Sequence, residues 1–185
     1  MKSCTQTETQ SVLDHGFSVK NYLFDLLDHL EKGTPLKFEW KLPEWIYEEK
    51  EFILSSLPSR QTLKLYTIFH DCGKPQCLTI DEEGKRHFPN HAEVSYNTFI
   101  NLFDDNAAAD LIRRDMDIHL LKSEGVADFC KNPNAIASLI TGLAEIHSNA
   151  KMFGGIESTS FKIKWKCISK RGKQIIQTIK NNETI

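Results

Sequence analysis

The chain has 185 residues, with 23 lysines and arginines against 25 acidic residues, a formal net charge of −2 and a mean hydropathy of −0.39. This composition is typical of a globular protein and excludes a disordered or collagen-like chain. A chain of this length forms its core without disulfides or a structural metal, so any metal site is expected to be functional. No apolar run reaches the roughly 20 residues of a membrane helix, and residues 1–10 are polar. We therefore expect a cytoplasmic protein without membrane partners.

Charge and cysteine positions narrow the possibilities further. From Ala150 onward, eight lysines and arginines face two acidic residues, so the C-terminal part is basic and the rest is acidic. A net charge near zero excludes a protein whose whole surface binds nucleic acid, but it permits a local basic patch. Five scattered cysteines without a CxxC pair favour reduced thiols over a disulfide framework or a zinc knuckle.

The first predicted element is a long amphipathic helix at about residues 10–32. Its apolar stripe has the three- and four-residue spacing of one helix face and consists of Val12, Val19, Leu23, Leu26, Leu27 and Leu30. Gly33, Thr34 and Pro35 end this helix. Apolar and charged residues alternate over residues 35–43, which predicts a short extended piece. The prolines around it mark residues 34–58 as an insertion.

The remaining chain predicts mostly helices, at about 44–57, 60–71, 90–103, 107–121, 124–130, 134–151 and 160–180, with a turn at 81–84. The last segment is ambiguous, because Phe161, Ile163 and Trp165 alternate with lysines as in a strand; a helix is favoured. The predicted fold is an all-α bundle in a single domain, 1–185. Its core lies at about 10–150, and a basic C-terminal extension lies at about 155–185.

The strongest chemical signal is the segment Phe-His-Asp-Cys-Gly-Lys-Pro at residues 69–75. His70 and Asp71 are both able to bind a metal, and they stand where an apolar helix meets solvent. Gly73 allows a sharp turn directly after them. Alone, such a pair is also typical of a helix end with a solvated histidine and a capping carboxylate. Cys72 is more typical of a small space-filling residue than of a nucleophile.

Four further candidate ligands lie on other predicted helices. They are His15 on the first helix, His91 at the start of the helix after the turn, His119 on the next helix and Glu145 in the last helix of the body. Helical bundles build interior metal sites from ligands on different helices. Imidazole and carboxylate ligands suit manganese, iron, cobalt, nickel or zinc, so this set does not select one metal.

These residues resemble the HD-domain superfamily of metal-dependent phosphohydrolases. The matched pattern, within residues 12–150, is His15, the HDxGKP of residues 70–75, the FPNHAEVS of residues 88–95, Asp117-Ile118-His119 and Leu143-Ala144-Glu145. Its middle is similar to the HD module of bacterial CCA-adding tRNA nucleotidyltransferases. The resemblance implies one or two divalent ions, with magnesium among the candidates. His15, His70, Asp71 and a closing acid would bind the first, and His91 and His119 the second.

The chain departs from the family pattern at two places. The closing acid, normally aspartate, is Glu145, which is one methylene longer and changes the reach of the carboxylate. The insertion at residues 34–58 contains Trp40, Trp45 and Tyr47 between the first two matched positions. We expect it to form a lid or a partner surface.

Basic residues supply candidates for substrate contact. By the resemblance, Asp71 and Lys74 are the catalytic candidates, with Lys74 contacting the phosphate or stabilising the transition state; an exposed loop lysine is the alternative. Arg86 and His87 would bind a phosphate or a nucleotide chain, although exposed side chains in a solvated turn are an equally good interpretation. The lysines and aromatic residues of the C-terminal extension would contact RNA or DNA, or would form an amphipathic helix packed on the bundle.

The resemblance implies a metal-dependent phosphohydrolase that acts on a phosphomonoester or cyclic phosphodiester of a nucleotide or nucleic acid end. The alternative is a catalytically weak HD module that binds a nucleotide or RNA. A protein with a purely structural metal is a third possibility, and it predicts that chelation unfolds the chain.

Overall fold

The structure is a computed structural model that describes residues 1–6 and 10–183. The described residues are mostly helical, which confirms the all-α prediction. The helices are α1 Val12–Lys32, α2 Trp45–Glu48, α3 Lys50–Ser55, α4 Arg60–Phe69, α5 Lys74–Cys77, α6 His91–Ile100, α7 Asn106–Arg113, α8 Asp117–Leu120, α9 Val126–Phe129, α10 Ala135–Ser148 and α11 Thr159–Glu183. Strands β1 Thr79–Ile80 and β2 Arg86–His87 form an antiparallel ribbon. Among these residues, no helix has the length and apolarity needed to cross a membrane.

The chain divides into two compact units. The first contains Met1–Lys20 and Ser59–Met116, and the second contains Asn21–Pro58 and Asp117–Ile185. Helix α1 therefore contributes its N-terminal part to the first unit and its C-terminal part to the second. The prediction of a single domain stays a prediction.

In the first unit, α4, α6 and α7 pack around apolar side chains that include Leu63, Phe99 and Leu111, each at most 1% exposed. Caps fix the helix starts. The Ser59 hydroxyl accepts a hydrogen bond from a backbone N–H of α4, and the Asp105 carboxylate does the same for α7.

A buried polar contact joins α4 to the end of α7. The Tyr66 hydroxyl donates to the Asp115 carboxylate at 2.7 Å, and both residues are almost fully buried. Burying a carboxylate is costly unless it accepts hydrogen bonds, so this contact offsets part of that cost. It fixes the part of α4 that leads into His70.

In the second unit, α10 is buried along almost its whole length and packs against α11. The insertion is anchored by Asp25, whose carboxylate accepts from the backbone N–H groups of Lys37 and Phe38 and from the Trp40 indole at 2.9–3.2 Å. The extended piece predicted at 35–43 forms no strand, because the backbone N–H groups of Lys37 and Phe38 donate to a carboxylate of α1 instead of to a neighbouring strand.

Two of the predicted helices are each divided in two. The helix expected at 44–57 is two helices, because Glu49 between them has φ −111° and ψ 20°. The helix expected at 107–121 is also two, since the chain leaves α7 after Arg113 and Asp115 turns inward to Tyr66. The alternating segment from Phe161 to Trp165 belongs to helix α11, so its strand alternative is wrong and the favoured helix is confirmed.

His147 is the buried histidine of the second unit. Its Nε2 accepts from the Lys41 backbone N–H at 3.0 Å, and its Nδ1 donates to the Leu143 carbonyl at 2.7 Å. His147 is 1% exposed, so it is a residue of the interior and not of the surface. Burial lowers the pKa of His147 from 6.5 to about 4, against smaller opposing effects of its backbone hydrogen bonds.

This shift predicts a loss of stability in mild acid. The unfolded chain binds a proton at His147 below about pH 6.5, whereas the folded chain binds it only near pH 4. The contribution of neutral His147 to the free energy of unfolding is therefore complete above pH 6.5, and it falls by about 3 kcal/mol by pH 4. Denaturant unfolding at pH 7, 5.5 and 4.5 measures it, and His147→Gln should show a shallower fall. An equal fall in both proteins would contradict the prediction.

Candidate metal centre

The site in the first unit begins with two histidines on different helices. His15 lies on α1, His70 follows directly after α4, and their exposed fractions are 0% and 2%. The His15 Nε2 and His70 Nε2 atoms are 3.2 Å apart, and the rings meet edge to face. Both predicted first-metal histidines are therefore brought together.

The contact between α1 and α4 depends on Gly16. A Cβ at this position would lie 2.9 Å from the Ile68 carbonyl carbon and closer still to its oxygen. Only a residue without a side chain allows the two backbones to approach this closely. Sequence reasoning missed Gly16, although a glycine inside a strongly periodic helix is itself a signal of close packing.

His70 is held in one orientation. Its Nδ1 lies 2.8 Å from the Thr67 carbonyl oxygen, which only accepts hydrogen bonds. The Nδ1 atom of a neutral ring must therefore carry the proton, and Nε2 carries the lone pair that a metal requires. A hydrogen bond of this kind, from the other ring nitrogen, is usual for metal-binding histidines.

Asp71 provides the third ligand atom of this unit. Its Oδ2 lies 3.3 Å from His70 Nε2 and 3.7 Å from His15 Nε2. Ligand atoms bonded to one ion at about 2.1 Å lie about 3.0–3.4 Å from each other in octahedral or tetrahedral geometry. Two of the three separations lie within this range, and the 3.7 Å between His15 Nε2 and Asp71 Oδ2 is slightly above it, so a small movement would bring all three atoms to one divalent ion. His15 and His70 both belong to a group of side chains able to hold a metal ion. The residues fit the predicted ion.

The electrostatic surroundings keep Asp71 ionised. Burial alone would raise its pKa, but the charge and hydrogen bond of the His70 ring in its protonated form, followed by the charges of Lys74 and His15, hold the pKa of this carboxyl well below its usual range. An ionised carboxylate is the form that binds a cation. Asp71 is therefore ready to act as a ligand at any physiological pH.

Lys74 is buried beside this carboxylate. It is 8% exposed, and its Nζ lies 2.6 Å from Asp71 Oδ2 and 3.1 Å from Gln6 Oε1, which accepts from it. The ammonium also lies 5.2 Å from the centre of the Phe88 ring. The alternative of an exposed loop lysine is wrong, because Gln6 and Phe88 cover the side chain. Its catalytic role stays a prediction.

Cys72 and Gly73 fix the turn that presents these groups. A Cβ on Gly73 would lie 2.6 Å from the Val94 carbonyl carbon, and the Gly73 N–H donates to the Ser95 hydroxyl at 2.9 Å. Burial raises the pKa of Cys72 to about 11, so this residue is a neutral thiol packed on α6. The space-filling interpretation of Cys72 agrees with this environment.

His91 lies on the other side of Asp71. Its Nε2 is 3.7 Å from Asp71 Oδ1, and its side chain is 18% exposed. Asn90 precedes it with φ 55°, a left-handed conformation that asparagine tolerates. His91 also lines an open cleft of about 330 Å³ together with Glu93, Arg113 and Met116. The cleft is large enough for a phosphate group and part of the group that carries it.

Comparisons with protein-family models, with curated proteins and with solved structures gave no match to this chain. The resemblance to the HD-domain superfamily therefore rests on the motif residues and stays a prediction.

The two remaining predicted ligands belong to the second unit. His119 Nε2 and Glu145 Oε2 are 2.9 Å apart, with side chains 23% and 16% exposed. They form a histidine–carboxylate pair. That they supply ligands to the predicted metal ions stays a prediction.

The predicted phosphate-binding residues Arg86 and His87 lie on the exposed strand β2. The Arg86 guanidinium donates to the Thr5 carbonyl and hydroxyl, and His87 Nε2 lies 2.7 Å from Asp81. His87 therefore has its partner in the turn region, which agrees with the solvated-turn alternative, whereas Arg86 is held by the N-terminal segment. Their substrate role stays a prediction.

Proposed function

We propose that this protein is a metal-dependent phosphohydrolase of the HD-domain type. The observation that carries the proposal is the buried set of His15, His70 and Asp71, whose ligand atoms lie within 3.7 Å of one another. A core of this size does not need a metal for its stability, so a buried set of ligands favours chemistry. The first ion would be held by these three residues.

A bound divalent ion lowers the pKa of water to a range where it attacks phosphorus at neutral pH, and it neutralises phosphoryl oxygens. The protein's own groups would complete the site. Asp71 supplies negative charge in a buried position, and the Lys74 ammonium beside it offers a hydrogen-bond donor to a phosphate oxygen. His91 lies between Asp71 and the open cleft, where the leaving group would stand.

The substrate class proposed is a phosphomonoester or cyclic phosphodiester of a nucleotide or nucleic acid end. The cleft beside His91 suits a phosphate group, because the positively charged side chain of Arg113 lines it. Arg113 is held by Glu93 at 2.9 Å and stands over the Tyr96 ring. A guanidinium oriented in this way presents its other donors to an incoming anion.

The test is a hydrolysis screen of the purified protein after elemental analysis. Substrates are 5'-, 3'- and 2'-nucleotides and 2',3'-cyclic nucleotides, each with manganese, cobalt, nickel, zinc, iron or magnesium. We expect bound metal in the protein and hydrolysis that chelation stops and added metal restores. A protein that retains its helical circular dichroism signal after chelation contradicts the structural-metal alternative. An inert protein that holds no metal overturns the proposal.

A further inference from the structure

The second unit contains a cleft of about 650 Å³ between residues 42–48 and the middle of α11. This volume lies within the range of about 300–1,000 Å³ that is usual for small-molecule sites. None of the residues of the candidate metal centre lines it, and its aromatic and charged groups belong to the insertion and the basic C-terminal extension. The proposed phosphohydrolase activity therefore leaves this cleft without a role.

Two tryptophans form a fixed aromatic surface in the cleft. The Trp45 indole donates to the Ser169 carbonyl at 3.0 Å, and the Trp165 indole donates to the Lys41 carbonyl at 2.6 Å. Trp45 is buried against Gly172, where a Cβ would lie 2.6 Å from its Cε2 atom and closer still to Cζ2. Trp165 is half-buried, so part of its ring remains accessible. Both rings are held before any ligand arrives.

The walls of the cleft carry opposite charges. Lys166, Lys170 and Lys173 are exposed along one face of α11, because residues three and four apart are neighbours on a helix. Glu44 and Glu48 line the facing side. Within the described ranges, no ion pair joins these lysines to these glutamates at 4.0 Å or less. The volume of about 650 Å³ leaves room for a ligand between these groups.

We propose that this cleft binds a nucleoside phosphate. The base would stack on the accessible part of Trp165, and the phosphate would lie against Lys166, Lys170 and Lys173. Glu44 and Glu48 would accept hydrogen bonds from ribose hydroxyls or from an amino group of the base. Inorganic phosphate would use the lysines alone, and a lipid tail would use the tryptophans alone. A nucleoside phosphate matches the aromatic, cationic and acidic groups together.

The probe is AMP, titrated into the full chain in excess chelator and low salt, so that the metal centre takes no part. The three indole N–H signals in a ¹⁵N-resolved NMR spectrum report the binding position. We expect saturable shifts of Trp165 and Trp45, while Trp40, which donates to Asp25 elsewhere in this unit, stays unchanged. Adenosine and inorganic phosphate should each bind at least tenfold more weakly than AMP, because adenosine lacks the phosphate and inorganic phosphate lacks the nucleoside.

A double substitution, Lys170→Gln with Lys173→Gln, should weaken AMP binding at least tenfold. The matched control Lys122→Gln changes an exposed lysine outside the cleft and should leave the affinity unchanged. His70→Ala should also leave it unchanged, so AMP binding that survives in an inactive enzyme separates this proposal from the proposed hydrolase. No saturable AMP binding, equal losses in Lys122→Gln, loss in His70→Ala, or binding only to a single-stranded oligonucleotide would overturn it.

Discussion

His70→Ala is expected to abolish stoichiometric metal binding and to reduce metal-dependent hydrolysis by more than about 100-fold. Substitutions that only disorient a metal ligand already cost about 10–100-fold, and His70 is itself a proposed ligand. Its Nε2 lies closer to both His15 Nε2 and Asp71 Oδ2 than these two atoms lie to each other. Losing it removes the central atom of the set. Elemental analysis and initial rates at saturating metal measure the two effects.

A matched control distinguishes ligand loss from misfolding. His29→Ala removes a half-buried histidine that contacts the Thr34 carbonyl near the end of α1 and lies outside the proposed centre. We expect wild-type metal content and activity in this variant. The helical circular dichroism signal of His70→Ala should remain at the wild-type level. A folded His70→Ala protein with full metal content and turnover would refute the assignment of this residue.

The helices were predictable where one apolar stripe decides the structure. In α1 the stripe from Val12 to Leu30 has no competing pattern, and its end at Lys32 precedes Gly33 as expected. The breaks at Glu49 and after Arg113 were not predictable. A helix interrupted by tertiary contacts, such as the inward turn of Asp115 to Tyr66, has the same local propensities as an uninterrupted one.

The candidate site was also predictable only in part. The adjacent His70 and Asp71 are visible in the sequence, and the bundle argument adds His15. Their distances are not visible, because they depend on how closely α1 approaches Ile68. The burial of Lys74 was also missed, since Gln6 and Phe88, which cover it, are far from it along the chain. Chemistry is read from residue types, whereas burial requires the fold.

The close approach at Gly16 gives the second large prediction. Gly16→Ala places a methyl group against the backbone of Ile68, which, unlike a side chain, is unable to rotate away. Overpacking of this kind costs about 1–3 kcal/mol, and the better helix propensity of alanine returns up to about 1 kcal/mol. We expect a net loss of about 1–2 kcal/mol in the free energy of unfolding, measured with denaturant.

The same substitution should weaken metal binding at least tenfold although it changes no ligand. If α1 moves away from α4 to admit the methyl group, His15 Nε2 moves away from His70 Nε2, and the set widens beyond the spacing that one ion accepts.

The matched control is Gly125→Ala, where the new Cβ would meet only a side-chain methyl of Leu121 at 3.3 Å. That variant should keep wild-type stability within about 0.5 kcal/mol and wild-type metal affinity. Equal metal affinity in Gly16→Ala and the wild type would mean that the two histidines do not depend on this helix contact. Isothermal titration with manganese, at a temperature where all three proteins are folded, decides between these outcomes.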